Sequence, residues 1–153
     1  MIAALALHLL AAVVWVGGMF FAYLCLRPVA AAQLQPGARF ALWAGVFERF
    51  FPWVWAAVLV LPASGYYLAA SMYGDYREAL PYVWVMTGVG VAMILIFLYV
   101  WFVPYRGLRS AVAAHDMPAA GAALARIRRL IGINTVLGVA VVVIAGSGRL
   151  MGW

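Results

Sequence analysis

Apolar residues occur in four long runs, and polar residues are concentrated in the segments between them. The runs cover about 2–26, 50–70, 82–103 and 130–150, and each reaches the roughly 20 apolar residues needed to cross the hydrocarbon layer of a bilayer. Four antiparallel spans joined by modest connections predict an all-α, up-and-down transmembrane bundle that forms one domain over residues 1–153. We therefore expect an integral membrane protein.

Composition supports a membrane location and excludes several other classes of protein. Hydrophobic residues make up 69% of the chain and charged residues 9%, far from the values of soluble domains. The net charge of +6 does not indicate nucleic-acid binding, because most arginines border apolar runs, where they act as membrane anchors. Cys25 is the only cysteine, which excludes a disulfide within the chain and a cysteine-based zinc cluster. The first run is longer than the roughly 7–15 apolar residues of a signal peptide and is predicted to be a retained helix.

Arginines also predict the orientation of the bundle. They are frequent in the first connection, 27–49, and in the third, 104–129, whereas the second connection has no basic excess. The positive-inside rule places the first and third connections in the cytoplasm and both termini on the periplasmic side of a bacterial inner membrane. Asp116 followed by Pro118 predicts a helix start within the third connection, and Pro62 predicts a kink in the second span.

The first span carries a stripe of mostly small residues at spacings of four and three, typical of one helix face. The stripe comprises Ala4, His8, Ala11, Trp15, Gly18 and Ala22. Small residues allow close helix approach, so this face is predicted to point inward or toward another subunit.

His8 is the strongest candidate functional residue. It lies about 9 Å below the outer end of its span at the helical rise per residue, and an ionisable side chain at that depth is a functional-site hypothesis. The alternative is a neutral histidine that is hydrogen-bonded to another helix. His115 lies in the third connection, a bilayer thickness of roughly 30 Å away, and is interpreted as a solvated turn residue.

Methionines near the outer ends of the spans could assist His8. Met86 is predicted at nearly the depth of His8, and Met72 and Met151 lie near the ends of their helices. Histidine and thioether ligands suit Cu(I), while His8 and Met86 could equally form an axial pair for haem. The alternative is that these methionines only fill space between helices.

A second candidate site lies at the arginine-rich end of the bundle. Its members are Arg27, Arg49, Arg128 and Arg129, with Asn134 just inside the membrane. Phospholipid headgroups are the ordinary partners of such arginines, and the alternative is an anion site, for example for haem propionates. No set of serine, histidine and acid suggests catalysis, and no carboxylate within a span suggests a proton relay.

The segment from His8 through Trp15, Gly17 and Gly18 to Arg27-Pro28 resembles the first helix of the CopD-like proteins, the copper resistance protein D family. Its order of histidine, tryptophan, glycine and arginine is also similar to that of HemJ-type protoporphyrinogen oxidases, and the stretch from Arg126 to Asn134 is similar to the entry of their last helix. The resemblance implies copper uptake or haem b and membrane redox chemistry, with His8 at the position of the haem-linked histidine. HemJ-type enzymes carry a functional lysine within a later helix and an acidic residue after the asparagine. This chain departs from that pattern, because it has no lysine and has Thr135 after Asn134.

The leading hypothesis is therefore a CopD-like membrane protein that binds copper or haem b through His8, with Met86 as its helper. A membrane scaffold without a prosthetic group is the main alternative, and a haem-dependent oxidoreductase is the third. A bis-histidine haem site would need His8 from two subunits, which predicts a homodimer through the first helix.

Overall fold

Four long helices form the computed structural model, which describes the backbone of residues 1–151 and the side chains of residues 1–148. They are α1 (Ile2–Gln33), α2 (Pro36–Tyr73), α3 (Pro81–Ala113) and α4 (Met117–Met151). All four are long and apolar enough to cross a membrane, and the described residues contain no strand. The predicted all-α membrane bundle is confirmed. The side chain of Met151 and the position of Trp153 lie outside the described part.

The helices extend well beyond the apolar runs. The first connection was expected to span residues 27–49, but only Leu34 and Gln35 interrupt the helical backbone there. Similarly, α3 continues past residue 103 to Ala113. Alanine and arginine have high helix propensity, so the chain stays helical after the apolar residues end. The bundle therefore carries helical extensions beyond its membrane-spanning part.

Asp116 starts α4 as predicted. Its Oδ1 accepts a hydrogen bond from the Ala119 N–H at 3.0 Å, the N-cap arrangement that satisfies a free donor in the first turn. His115 immediately before it is exposed and adopts a left-handed conformation with φ of 54°. This turn reverses the chain between α3 and α4.

Wider, π-type turns occur within α1 and α3. They cover Val13–Gly17, Phe21–Leu26 and Trp101–Tyr105. Pro104 lies within the third of these turns. Pro28 follows the second turn by two residues, and the carbonyl four residues before Pro28 lies inside that turn. A proline ring clashes with that carbonyl in a regular helix, and we attribute these two wider turns to relief of that clash. In α2, by contrast, the helix runs through Pro52 and Pro62 without a break.

An aromatic core joins α2 and α3 in the middle of the bundle. Phe51 stacks on Phe47 at a centroid distance of 5.1 Å and meets the edges of Phe97 and Tyr105 at 5.5 and 4.8 Å. Edge-to-face and offset stacking are the favoured arrangements of aromatic rings. The outer half of α1 packs mainly on α2, and α3 packs mainly on α4.

The stripe on α1 faces the interior of the same chain. Trp15 and Ala22 are buried and His8 is half-buried, whereas Leu9 and Leu10 on the opposite side are exposed. A Cβ at Gly18 would overlap the Phe50 ring of α2. The structure therefore uses this face for packing between α1 and the rest of the bundle.

Candidate functional site

His8 forms a hydrogen bond to α2. Its Nδ1 lies 2.9 Å from Ser64 Oγ, and the Ser64 hydroxyl donates to the Val60 carbonyl, with the Leu61 carbonyl 3.3 Å from the same oxygen. Ser64 itself is buried at 8% exposure. The histidine that the sequence predicts to face protein is thus tied to the neighbouring helix through Ser64.

This hydrogen bond defines which imidazole nitrogen of His8 is available to bind a metal ion. A serine hydroxyl has one hydrogen, and carbonyls of its own helix accept it, so Ser64 Oγ acts as the acceptor toward His8. Nδ1 then carries the imidazole proton and Nε2 has a free lone pair. A hydrogen bond at one ring nitrogen is what fixes the tautomer and orientation of a metal-binding histidine.

Gly65 provides the space for this contact. A Cβ at Gly65 would lie 3.2 Å from His8 Cε1, closer than ordinary van der Waals contact. A larger residue would therefore push the ring away from Ser64. The pair Ser64-Gly65 supplies both the acceptor and the room for the imidazole.

The predicted helper methionines lie on helices other than that of His8. Met86 is half-buried on α3, and Met72 is exposed on α2, eight residues beyond Ser64 and thus about 12 Å further along the helix. Residues 1–148 contain no group of three or more His, Cys, Asp and Glu side chains that could hold a metal ion. His8 is therefore not part of such a group within the described residues.

Trp15 lies in the core. It is 3% exposed and meets the edge of Phe97 at a centroid distance of 6.2 Å. It is seven residues from His8, or about 10 Å along α1. Its contacts are those of a core residue that joins α1 to α3.

The arginines form a separate site at the other end of the bundle. A cleft of about 520 Å³ opens between α1, α2 and α4, and Arg27, Arg39 and Arg128 line it. Arg49 and Arg129 are exposed and lie outside the lining. Sequence reasoning placed Arg27 and Arg128 in one anion site but missed Arg39. The signal that could have identified Arg39 is the short break between α1 and α2, because a tight hairpin brings the end of α1 close to the start of α2.

Asn134 belongs to neither site. It is 3% exposed, and its Nδ2 donates to the Met93 carbonyl of α3 at 3.3 Å. Its Oδ1 has no hydrogen-bond partner in the described part of the chain, and the residue borders an interior void of about 20 Å³ beside Trp15 and Phe97. The asparagine links α4 to α3 within the core.

The two sites are well separated. Arg27 follows His8 by nineteen residues on one helix, which corresponds to about 28 Å at the helical rise. This is close to the hydrocarbon thickness of roughly 30 Å. One cofactor cannot be held by His8 and the arginine cleft together.

The fold and the polar groups within it define a multi-pass membrane protein with an ordered intramembrane histidine at one end and an arginine cleft at the other. A family model described as copper resistance protein D matches residues 44–147. The match spans more than half of the chain, which therefore belongs to the copper resistance protein D family, as the resemblance implied. Ser64, Met86 and Asn134 lie inside the matched region, and His8 lies before it. Neither the curated proteins nor the solved structures contain a significant match to the chain.

Proposed function

We propose that the chain handles copper ions as cargo, with His8 Nε2 as the donor in the outer half of the bundle. The hydrogen bond from His8 Nδ1 to Ser64 carries this proposal, because it orients the imidazole and leaves Nε2 unprotonated. Metal-binding histidines almost always have such an outer partner on the second nitrogen. Membership of the copper resistance protein D family supports copper as the ion.

Thioethers complete the proposed ligand set. Cu(I) selects soft ligands such as methionine sulfur, and the methionine side chain is unbranched and flexible. Met86 on α3 is the proposed second ligand to an ion at His8. Met72 lies closer to the outer end of α2 and is proposed to contact copper on its way to His8.

Haem b is the second candidate ligand, and it is supported by the same imidazole. Haem iron can be held by a single proximal histidine, so the absence of a cluster of ligands around His8 in residues 1–148 is compatible with it. The propionates of that haem would need partners other than the arginines of the cleft, because of the distance between the two sites.

The proposed location is a bacterial inner membrane with both termini on the periplasmic side. The helix ends that carry Arg27, Arg106 and Arg128 all lie at the same end of the bundle, and basic residues concentrate on the cytoplasmic side of membrane proteins. His8 then faces the periplasm. A protein in this orientation meets copper from outside the cytoplasm.

Copper analysis and a visible-absorption spectrum of the purified chain test the proposal. Wild type and His115→Ala should retain copper added as Cu(I), and His8→Ala should lose it. Ser64→Ala should weaken binding about 10–100-fold, the usual effect of removing the outer partner of a metal-binding histidine. A Soret band that depends on His8 would identify haem instead, and neither copper nor haem in wild type would favour the membrane scaffold.

A further inference from the structure

The cleft at the arginine-rich end brings together three guanidinium groups from three helices. Arg27 comes from α1, Arg39 from the first turns of α2 and Arg128 from α4. The cleft holds about 520 Å³. No acidic side chain is among the described residues that line it, so the three positive charges of the lining are not offset by a carboxylate within it.

Two of these guanidinium groups are held in place by aromatic rings. The guanidinium carbon of Arg27 lies 4.8 Å from the centroid of the Tyr23 ring, and that of Arg39 lies 5.8 Å from the Phe40 ring. Stacking on a ring face restrains an arginine and leaves the N–H groups at its edge free to bind a planar or tetrahedral anion. These side chains are thus ordered for an anionic ligand before it arrives.

The remaining walls of the cleft are mainly apolar. Leu24, Trp43 and Ile131 line it, and Phe47 connects it to the aromatic core. A small soluble anion would fill the charged part and leave this apolar surface uncovered. A ligand with a charged head and a hydrocarbon chain would cover both parts.

We propose that this cleft is a binding site for one anionic phospholipid. Arg27, Arg39 and Arg128 bind the phosphate of its headgroup by charge-assisted hydrogen bonds, and an acyl chain lies along Leu24 and Trp43. Basic pockets between transmembrane helices are suited to such headgroups. The proposal differs from general attraction of arginines to the membrane surface because it assigns binding to three of the ten arginines.

Native mass spectrometry of the detergent-solubilised chain tests this assignment. The probes are phosphatidylglycerol, phosphatidylcholine and inorganic phosphate. Arg128→Gln removes one guanidinium from the cleft, and Arg129→Gln is the matched control, because Arg129 is the next residue on the same helix, exposed and outside the cleft. Helix content by circular dichroism and elution on gel filtration verify that both variants are folded.

Wild type and Arg129→Gln should bind one phosphatidylglycerol in preference to phosphatidylcholine. Arg128→Gln should bind it about tenfold more weakly, as expected for loss of a hydrogen bond to a charged group, and Arg27→Gln should have a similar effect. Equal weakening by Arg128→Gln and Arg129→Gln would overturn the proposal in favour of general surface attraction. Equal binding of both lipids, or an arginine-dependent adduct with inorganic phosphate and none with lipid, would also overturn it.

Discussion

Replacement of Gly18 by alanine provides the sharpest test of how α1 packs in the bundle. A Cβ at Gly18 would overlap the Phe50 ring, whereas a Cβ at the adjacent Gly17 has nothing within 4 Å. Both substitutions gain the same helix propensity of about 1 kcal/mol. The difference between the two variants therefore isolates the cost of displacing Phe50.

That cost is expected to be about 1–3 kcal/mol, the usual range for overpacking a well-packed interior. Gly17→Ala should be slightly more stable than wild type, and Gly18→Ala should be less stable than Gly17→Ala by this amount. Each kcal/mol corresponds to a shift of about 2–4 °C in Tm for a chain of this size. Thermal unfolding in detergent measures both variants under identical conditions.

Equal stability of the two variants would refute the close contact between Gly18 and Phe50. The mass of the protein–detergent complex should also be unchanged in Gly18→Ala, because the contact lies within one chain. A loss of mass would instead show that this face of α1 joins two subunits, as the sequence pattern allowed.

Three further predictions concern other parts of the bundle. Asp116→Ala should lower stability by about 1 kcal/mol through loss of the helix cap, while Asp116→Asn keeps the acceptor and should not, as thermal unfolding will show. Asn134→Leu should change stability by less than about 1 kcal/mol, because it removes one long hydrogen bond to Met93 together with an unpaired buried oxygen. A fall in copper binding in this variant, with the fold retained, would contradict its position outside the copper site. A reporter fused after Trp153 should be active only if it functions in the periplasm, and one inserted at Ala114 only if it functions in the cytoplasm; the reverse pattern would move His8 to the cytoplasmic side.

The spans could be predicted from the sequence because a bilayer imposes a minimum apolar length. The helical extensions after residues 26 and 103 could not, since that criterion detects only apolar residues and the predicted spans end there. The helix start at Asp116 was predictable, because an N-cap is a local interaction between residues three positions apart.

The candidate sites were predictable only in part, since they depend on contacts between helices. His8 was identified because an ionisable side chain within a span is energetically costly, but its partner Ser64 lies 56 residues away and no local pattern links the two. His8 and Ser64 lie at similar depths in two antiparallel spans, and this was the signal that could have paired them. Likewise, the sequence pattern does not distinguish the neighbouring arginines Arg128 and Arg129. Only the rotation of α4 about its axis places Arg128 in the cleft and Arg129 outside it.

Nitrogen NMR of the histidines tests most directly whether His8 Nε2 is the copper donor. The chain has two histidines, so histidine-selective ¹⁵N labelling gives a simple spectrum that His115→Ala assigns. We predict that His8 carries its proton on Nδ1 and that addition of Cu(I) shifts its Nε2 resonance while the Nδ1 proton remains. A response confined to His115, or no response of His8 Nε2 to Cu(I), would contradict the account.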